Sequence, residues 1–166
     1  MNPAPRLGLA EAIERLEGMP EFLRAAVDNA RRGHLALRPE PDAFSLVEHA
    51  CHLRDLEREG YLSRVRRMLE EPAPALDGFD GAAVAAARDY LSQDALRAAV
   101  EFEAARREVT ARLSAIGEAD LRRSGTFDGE PVTLADVVAM MVEHDRGHRR
   151  EIERLMEHLE GGRAWK

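Results

Sequence analysis

The chain has 166 residues, a net charge of −7, 45% hydrophobic residues and 33% charged residues, which predict a single globular domain over residues 1–166 and exclude a disordered chain. The acidic balance and the lack of a basic segment argue against nucleic acid or an anionic membrane as a partner. The single cysteine, Cys51, excludes an internal disulfide, and no apolar run approaches the length of a membrane span, so a cytoplasmic protein is expected.

Helical periodicity recurs along the chain, and strand signals are nearly absent. A first helix is predicted over residues 7–32, with a break at residues 18–20 because a proline such as Pro20 is typical of a first helical turn. A second helix is predicted over residues 45–70. It begins at the capping box Ser45-Leu46-Val47-Glu48 and ends before the prolines of the next segment.

The second half of the chain contains two more long helices. A short helical piece at residues 82–90 precedes a helix that begins at Ser92, a plausible N-cap, and continues to residue 116. A polar loop is predicted for residues 118–132. The last helix runs from Thr133 to residue 159, and Thr133-Leu134-Ala135-Asp136 resembles a second capping box. Four long helices with modest connections predict an all-α four-helix bundle.

Two histidines, His144 and His148, point into the core of this predicted bundle. At 100° per residue, they and Asp145 fall inside the apolar stripe of the last helix. That stripe consists of Leu134, Val137, Val138, Met141, Ile152, Leu155, Met156 and Leu159. Rings four residues apart on a helix are neighbours, and imidazole is a ligand for zinc, nickel, copper or iron. The pair therefore favours a metal site over two core histidines that are satisfied by Asp145 and by polar groups of other helices.

A third ligand is expected on the second helix, which offers His49 and His52. His49 occupies the fourth helical position, where it is a hydrophobic-staple partner for Phe44. His52 lies at the edge of the apolar arc, and the helical wheel does not decide between the two. Glu57 falls near the centre of that arc. Such a carboxylate could orient a ligand histidine, act as a base, or pair with an arginine in a subunit interface.

The order and spacing of these motifs resemble the DinB/YfiT-like superfamily of helical metalloproteins. Members start the second helix with W-S-x-x-E and place a ligand histidine eight residues after the aromatic, in an H-L-x-D-x-E context. Here the stretches are 44–48, with Phe44 in place of the commoner tryptophan, and 52–57. The last helix carries H-x-x-x-H at His144 and His148. The loop before it reads as a short polar turn followed by T-L-x-x, here Pro131-Val132-Thr133-Leu134.

The resemblance implies a four-helix bundle in up-down-down-up order with a long crossover, often as a homodimer. It selects His52 as the third ligand beside His144 and His148. The implied cofactor is a divalent metal, most commonly zinc or nickel, with iron or manganese as alternatives. Asp55, Glu57 and Asp145 are then the candidates for catalytic carboxylates or for carboxylates that orient a histidine.

Three functions follow from this resemblance. The first hypothesis is a metal-dependent thiol transferase that acts on a small-molecule substrate with a low-molecular-weight thiol such as bacillithiol or mycothiol. The second is a metal-dependent hydrolase, because an open three-histidine site lowers the pKa of bound water. The third is a non-catalytic, stress-associated metal-binding dimer. A cavity with a few polar groups beside the metal would favour the enzymes.

Overall fold

The computed structural model describes residues 7–161. The helices of this part of the chain are α1 (Leu9–Asn29), α2 (Leu46–Asp55), α3 (Leu62–Glu70), α4 (Gly81–Ala87), α5 (Ala95–Ser114) and α6 (Leu134–Glu160). A π-helical segment, Leu56–Tyr61, joins α2 to α3, so that residues 46–70 form one continuous rod. None of the helices in the described range has the length and apolar character needed to cross a membrane.

Two clusters of buried side chains show how the long helices run. One cluster joins the end of α1, the starts of α2 and α5 and the end of α6, and it includes Leu23 and Ile152. The other joins the start of α1, the end of the rod, the end of α5 and the start of α6, and it includes Leu16 and Met68. The helices therefore run up, down, down and up, with a long crossover between α3 and α5. The predicted four-helix bundle is confirmed.

Pro20 lies inside α1, so the predicted break at residues 18–20 is wrong. A proline within a helix leaves the carbonyl four residues earlier without its usual donor. That carbonyl belongs to Leu16, and it accepts a hydrogen bond of 2.9 Å from Nη1 of Arg106 in α5. A buried guanidinium from another helix thus replaces the missing N–H, and α1 continues through the proline.

The capping box predicted for the second helix is present. Ser45 Oγ accepts a hydrogen bond from the backbone N–H of Glu48, and the Glu48 carboxylate accepts one from the backbone N–H of Ser45.

The prediction of one regular helix over residues 45–70 is incomplete, because Leu56–Tyr61 is π-helical. A π turn contains more residues than an α turn and is frequent at functional sites. It changes the faces that the rod presents, and Glu57 lies within it.

A small sheet joins the crossover to the start of α6. Its strands are β1 (Ala75–Leu76), β2 (Ser124–Phe127) and β3 (Glu130–Thr133), with β1 parallel to β2 and β2 antiparallel to β3. Asp128 and Gly129 connect β2 to β3 with φ values of 50° and 84°. An Asp-Gly pair with positive φ at both residues is a strong hairpin signal. The prediction of an irregular polar loop over residues 118–132 is therefore wrong for the hairpin.

Asp94 caps α5, so the predicted N-cap at Ser92 is wrong. The Asp94 side chain accepts a hydrogen bond of 2.8 Å from the backbone N–H of Arg97. Ser92 instead ends a short 3₁₀ turn, Tyr90–Ser92, which follows α4. Both residues are of a type that favours the N-cap position, and only the path of the backbone distinguishes them.

This difference predicts unequal effects of two alanine substitutions. Asp94→Ala should lower the free energy of unfolding by about 1 kcal/mol, because it removes the acceptor for a first-turn N–H of α5. Ser92→Ala should change it by less than about 0.5 kcal/mol, as is usual for a surface substitution. Urea denaturation measures both values, and equal losses would contradict the assignment of the cap.

Candidate metal centre

Three histidines that are distant in sequence converge where α2 faces α6. Nε2 of His52 lies 3.2 Å from Nε2 of His144, and Nε2 of His148 lies 3.0 Å from the same atom. Ligand atoms from all three rings lie within 4.8 Å of one another. The structure thus brings together the three residues that the sequence analysis predicts as metal ligands.

The local sequence explains how each ring reaches this point. His144 and His148 stand one turn apart on α6, on the face that buries Met141 and Ile152. His52 stands one turn after Glu48, whose side chain closes the capping box at the start of α2. Both helices begin with a capping box, so the backbone that carries each histidine is held at its N-terminus.

The chemistry of the three ring nitrogens fits a cation between them. A ring nitrogen of neutral imidazole carries either one proton or one lone pair. Nε2 of His144 therefore satisfies only one of its two close neighbours, His52 and His148, with a well-directed hydrogen bond. A divalent ion accepts lone pairs from all three rings at once and removes this conflict.

The surroundings hold the three rings in the neutral form that binds metals. Burial lowers the pKa of His52 and of His148 to about 4 in each case. The pKa of His144 is lowered to about 2, first by burial and then by the charges that His148 and His52 would carry if protonated. Neutral imidazole is the ligand form, so the site needs no proton release from these rings near neutral pH.

We expect the metal affinity of the folded protein to be nearly constant between pH 7.5 and pH 5.5. The lowered pKa values mean that protons compete for the rings only as the pH approaches about 4. Zinc competition with a chromophoric chelator whose own proton binding is known measures the affinity at each pH. An affinity that falls steadily below pH 6.5 would show that the rings titrate like exposed histidines.

Aromatic rings and a glycine surround His52. Its ring centroid is 5.5 Å from that of Phe44 and 6.1 Å from that of Phe79. Gly81, the first residue of α4, lies against the same ring. A Cβ at Gly81 would lie 2.6 Å from Cε1 of His52, closer than real Cβ atoms approach. The start of α4 therefore packs on the ligand ring, and only glycine fits there without a shift.

Gly81→Ala should consequently weaken metal binding by about tenfold or more, in the range for loss of groups that orient a ligand. The matched control is Gly147→Ala, because a Cβ at Gly147 would meet nothing within 4 Å although the residue is next to His148. The control should stabilise α6 by roughly 1 kcal/mol through helix propensity. Isothermal titration with zinc compares the variants, and equal affinities would show that the His52 ring tolerates the displacement.

Two of the candidate carboxylates, Glu57 and Asp145, bind a buried arginine. Arg106 donates from Nε and Nη2 to Glu57 at 2.7 and 2.8 Å, and from Nη1 and Nη2 to Asp145 at 2.5 and 3.1 Å. Together with the Leu16 carbonyl, this group links α1, the π-helical segment, α5 and α6. One hypothesis paired Glu57 with an arginine across a subunit interface. Glu57 does pair with an arginine, but this arginine belongs to the same bundle.

Burial and mutual attraction oppose each other in this buried ion group. Burial raises the pKa of Glu57 and of Asp145, and the positive charge of Arg106 opposes that effect in both cases. The pKa of Arg106 is raised because the attraction of the two carboxylates outweighs the opposing effect of burial. Asp145 directly follows the candidate ligand His144 in α6, so the ion group holds the backbone beside that histidine.

The third candidate carboxylate, Asp55, accepts three hydrogen bonds. It accepts hydrogen bonds from Tyr90 Oη at 2.6 Å, Arg54 Nε at 2.7 Å and Arg88 Nη1 at 2.8 Å. Its pKa is lowered by these three donors, which together outweigh the opposing effect of burial. Asp55 therefore ties α2 to the crossover, one turn after the His52 ring.

A fourth histidine, His49, lies against the three. The staple contact predicted with Phe44 is present, with ring centroids 5.7 Å apart. In addition, Nδ1 of His49 lies 3.0 Å from Nδ1 of His148, and Oε2 of Glu151 lies 3.1 Å from that same His148 atom. His49, His148 and Glu151 thus form a second group of possible ligands. The sequence analysis gave His49 only the staple role. The i, i+3 spacing of His49 and His52, which puts both rings on one face of the helix, could have indicated that both face α6.

An open cleft of 690 Å³ lies beside the histidines. Its polar lining includes the histidines His49 and His148 and the charged side chains of Glu151 and Arg154. The remaining lining residues are Pro39, Glu40, Asp42, Ala43, Phe44, Ala82, Leu155 and His158. A cavity of this volume with a few polar groups suits a small-molecule ligand.

Comparison with known proteins agrees with the four-helix bundle. A model of the DinB superfamily matches residues 15–152. The chain belongs to the DinB superfamily. No curated protein matches the chain significantly.

Among solved structures, this DinB-superfamily chain is similar to YfiT from Bacillus subtilis. The TM-score is 0.86 at 20% sequence identity, with 96% of this chain and 94% of the YfiT chain covered. YfiT is described as a probable metal-dependent hydrolase with an unusual four-helix bundle topology. At this identity the similarity establishes the shared fold.

Proposed function

We propose that this protein is a metal-dependent hydrolase whose divalent ion is held by His52, His144 and His148. The observation that carries the proposal is the convergence of three neutral rings, of which His52 is buried, His144 and His148 are half-buried, and His148 lines an open cleft. A three-histidine set leaves coordination positions free, as in catalytic zinc sites. Zinc or nickel is the proposed ion, since imidazole ligands suit both. The description of YfiT as a probable metal-dependent hydrolase supports the same reaction class.

Among the described residues, the side chains that line the cleft include no serine, threonine or cysteine. The only cysteine, Cys51, is buried, and burial raises the pKa of its thiol to about 11. A thiol of that kind is inert as a nucleophile. A hydroxyl or thiol nucleophile would therefore enter with the substrate or the solvent, and a divalent ion held by the histidines would supply Lewis-acid chemistry that lowers the pKa of a water or thiol.

We assign positioning roles to Asp55, Glu57 and Asp145. Each carboxylate already accepts two or more hydrogen bonds from arginine or tyrosine, which leaves it poorly placed to take a proton from a substrate. Asp145 adjoins His144, and Asp55 lies three residues after His52. Their contacts hold the helices that carry the ligand rings, as outer-shell partners do in metal sites.

Thiol transfer is the second candidate, because a nucleophile from outside the protein can equally be a low-molecular-weight thiol. A metal held by neutral histidines would favour the thiolate form of a coordinating thiol. The described lining of the cleft lacks a serine, threonine or cysteine, which favours both reactions over a covalent mechanism on a hydroxyl or thiol of the chain. A metal-binding homodimer without turnover is the remaining alternative.

The test uses tag-free protein loaded with zinc or nickel and a panel of ester, amide and activated electrophilic substrates, with and without bacillithiol or mycothiol. Hydrolysis should need metal, stop with chelator, return when metal is added, and be absent in His52→Ala. Turnover only in the presence of a thiol would replace the hydrolase with the transferase. Metal binding without turnover on any substrate would favour the non-catalytic protein, and light scattering of the same sample tests the expected homodimer.

A further inference from the structure

We infer that His49 is a positioning residue of the metal centre, because it accepts the Nδ1–H of His148 and so directs Nε2 of that ring to the metal. This inference rests on the proposed metal site. It adds a fourth histidine that does not ligate the ion. It also gives a function to a ring whose sequence position suggests only a staple contact.

The two nitrogens of His148 face different neighbours. Nε2 faces His144 at 3.0 Å, whereas Nδ1 faces Nδ1 of His49 at 3.0 Å and Oε2 of Glu151 at 3.1 Å. If Nε2 donates its lone pair to a metal, the ring proton must be on Nδ1. That proton then needs an acceptor, and the other ring nitrogen of a metal-ligating histidine almost always has one.

His49 is the more rigid of the two acceptors. The residue is only 2% exposed, and its ring lies edge-on against Phe44. The Glu151 side chain is 57% exposed. A neutral imidazole with its proton on Nε2 accepts a hydrogen bond at Nδ1. An acceptor on α2 also ties His148 on α6 to the helix that supplies His52.

Substitution at His49 distinguishes hydrogen bonding from packing. Oδ1 of asparagine takes nearly the place of Nδ1 of histidine, so His49→Asn keeps a hydrogen-bond acceptor. His49→Phe keeps an aromatic ring but removes the acceptor. His158→Phe is the control, because it changes a histidine of the same cleft. Zinc affinity is measured by chelator competition on the full chain. The protonated nitrogen of His148 is identified by long-range ¹H–¹⁵N NMR spectra, and thermal melts without metal verify folding.

We expect His49→Phe to weaken zinc binding by roughly 10- to 100-fold. His49→Asn should recover most of that loss, and His158→Phe should bind as the wild type does. The NMR spectra should show the proton of His148 on Nδ1 in the wild type and in His49→Asn. These results would support the positioning role, since simple packing is served better by phenylalanine than by asparagine.

Three results would overturn the inference. The first is that His49→Phe binds zinc as tightly as the wild type, and the second is that both His49 variants lose zinc affinity equally while their melting temperatures stay unchanged. The third is that the wild type binds a second equivalent of zinc, which only His49→Phe loses. The last would make His49 a ligand of a second ion together with Glu151. A wild type that takes up no zinc would refute the proposed function instead, and the NMR spectra would still test the His49–His148 hydrogen bond, so the two failures are distinguishable.

Discussion

Arg106→Met should lower the free energy of unfolding by about 3–5 kcal/mol, the usual effect of removing one partner from a buried ion pair. The substitution leaves the carboxylates of Glu57 and Asp145 buried without their cation, and it also removes the donor to the Leu16 carbonyl. The side chains of Arg106 and Glu57 are 2% and 1% exposed, so water does not replace the guanidinium at low cost. Urea denaturation with a two-state fit measures the difference.

The neighbouring residue supplies the control for this experiment. Arg107→Met removes the same charge from the next position of α5, where the side chain is 76% exposed and pairs with Glu103. Its effect should stay within about 0.5 kcal/mol, as for a surface ion pair. If Arg106→Met lowered the free energy of unfolding as little as Arg107→Met, the buried ion group would not stabilise the packing of the helices that its hydrogen bonds connect.

The second large effect is expected for His144→Ala, which should abolish the stabilisation of the protein by metal. At a free zinc concentration about 1,000 times the dissociation constant, the wild type should gain about 4 kcal/mol. For a chain of this length that corresponds to a rise in Tm of roughly 8–16 °C. His144 lies between His52 and His148, so its loss separates the ligand set. Calorimetry of each protein with zinc and with chelator measures the shift.

His34→Ala is the matched control, since His34 lies in the 3₁₀ turn after α1, outside both groups of ligand-type side chains found in the described residues. It should keep the full shift in Tm. A shift that survives in His144→Ala would place the ion on His49, His148 and Glu151, the other group of ligand-type side chains. No shift in the wild type with zinc, nickel or any other divalent ion would refute the metal centre.

The sequence by itself determined the features that depend on local chemistry. Two capping boxes and helical periodicity located the long helices to within a few residues, because caps and side-chain faces are set by neighbours three and four positions away. The same periodicity directed His144 and His148 inward. Family likeness added His52, which a helical wheel alone did not separate from His49.

The tertiary structure decided the features that depend on partners distant in sequence. Arg106 in α5 allows Pro20 to remain inside α1 and also binds Glu57 and Asp145, and none of these contacts lies within one helix. The position of His49 against His148 likewise spans 99 residues. Burial, and with it the lowered pKa values of the histidines, exists only once the helices pack. Periodicity indicates which face turns inward, and only packing determines which side chain it meets.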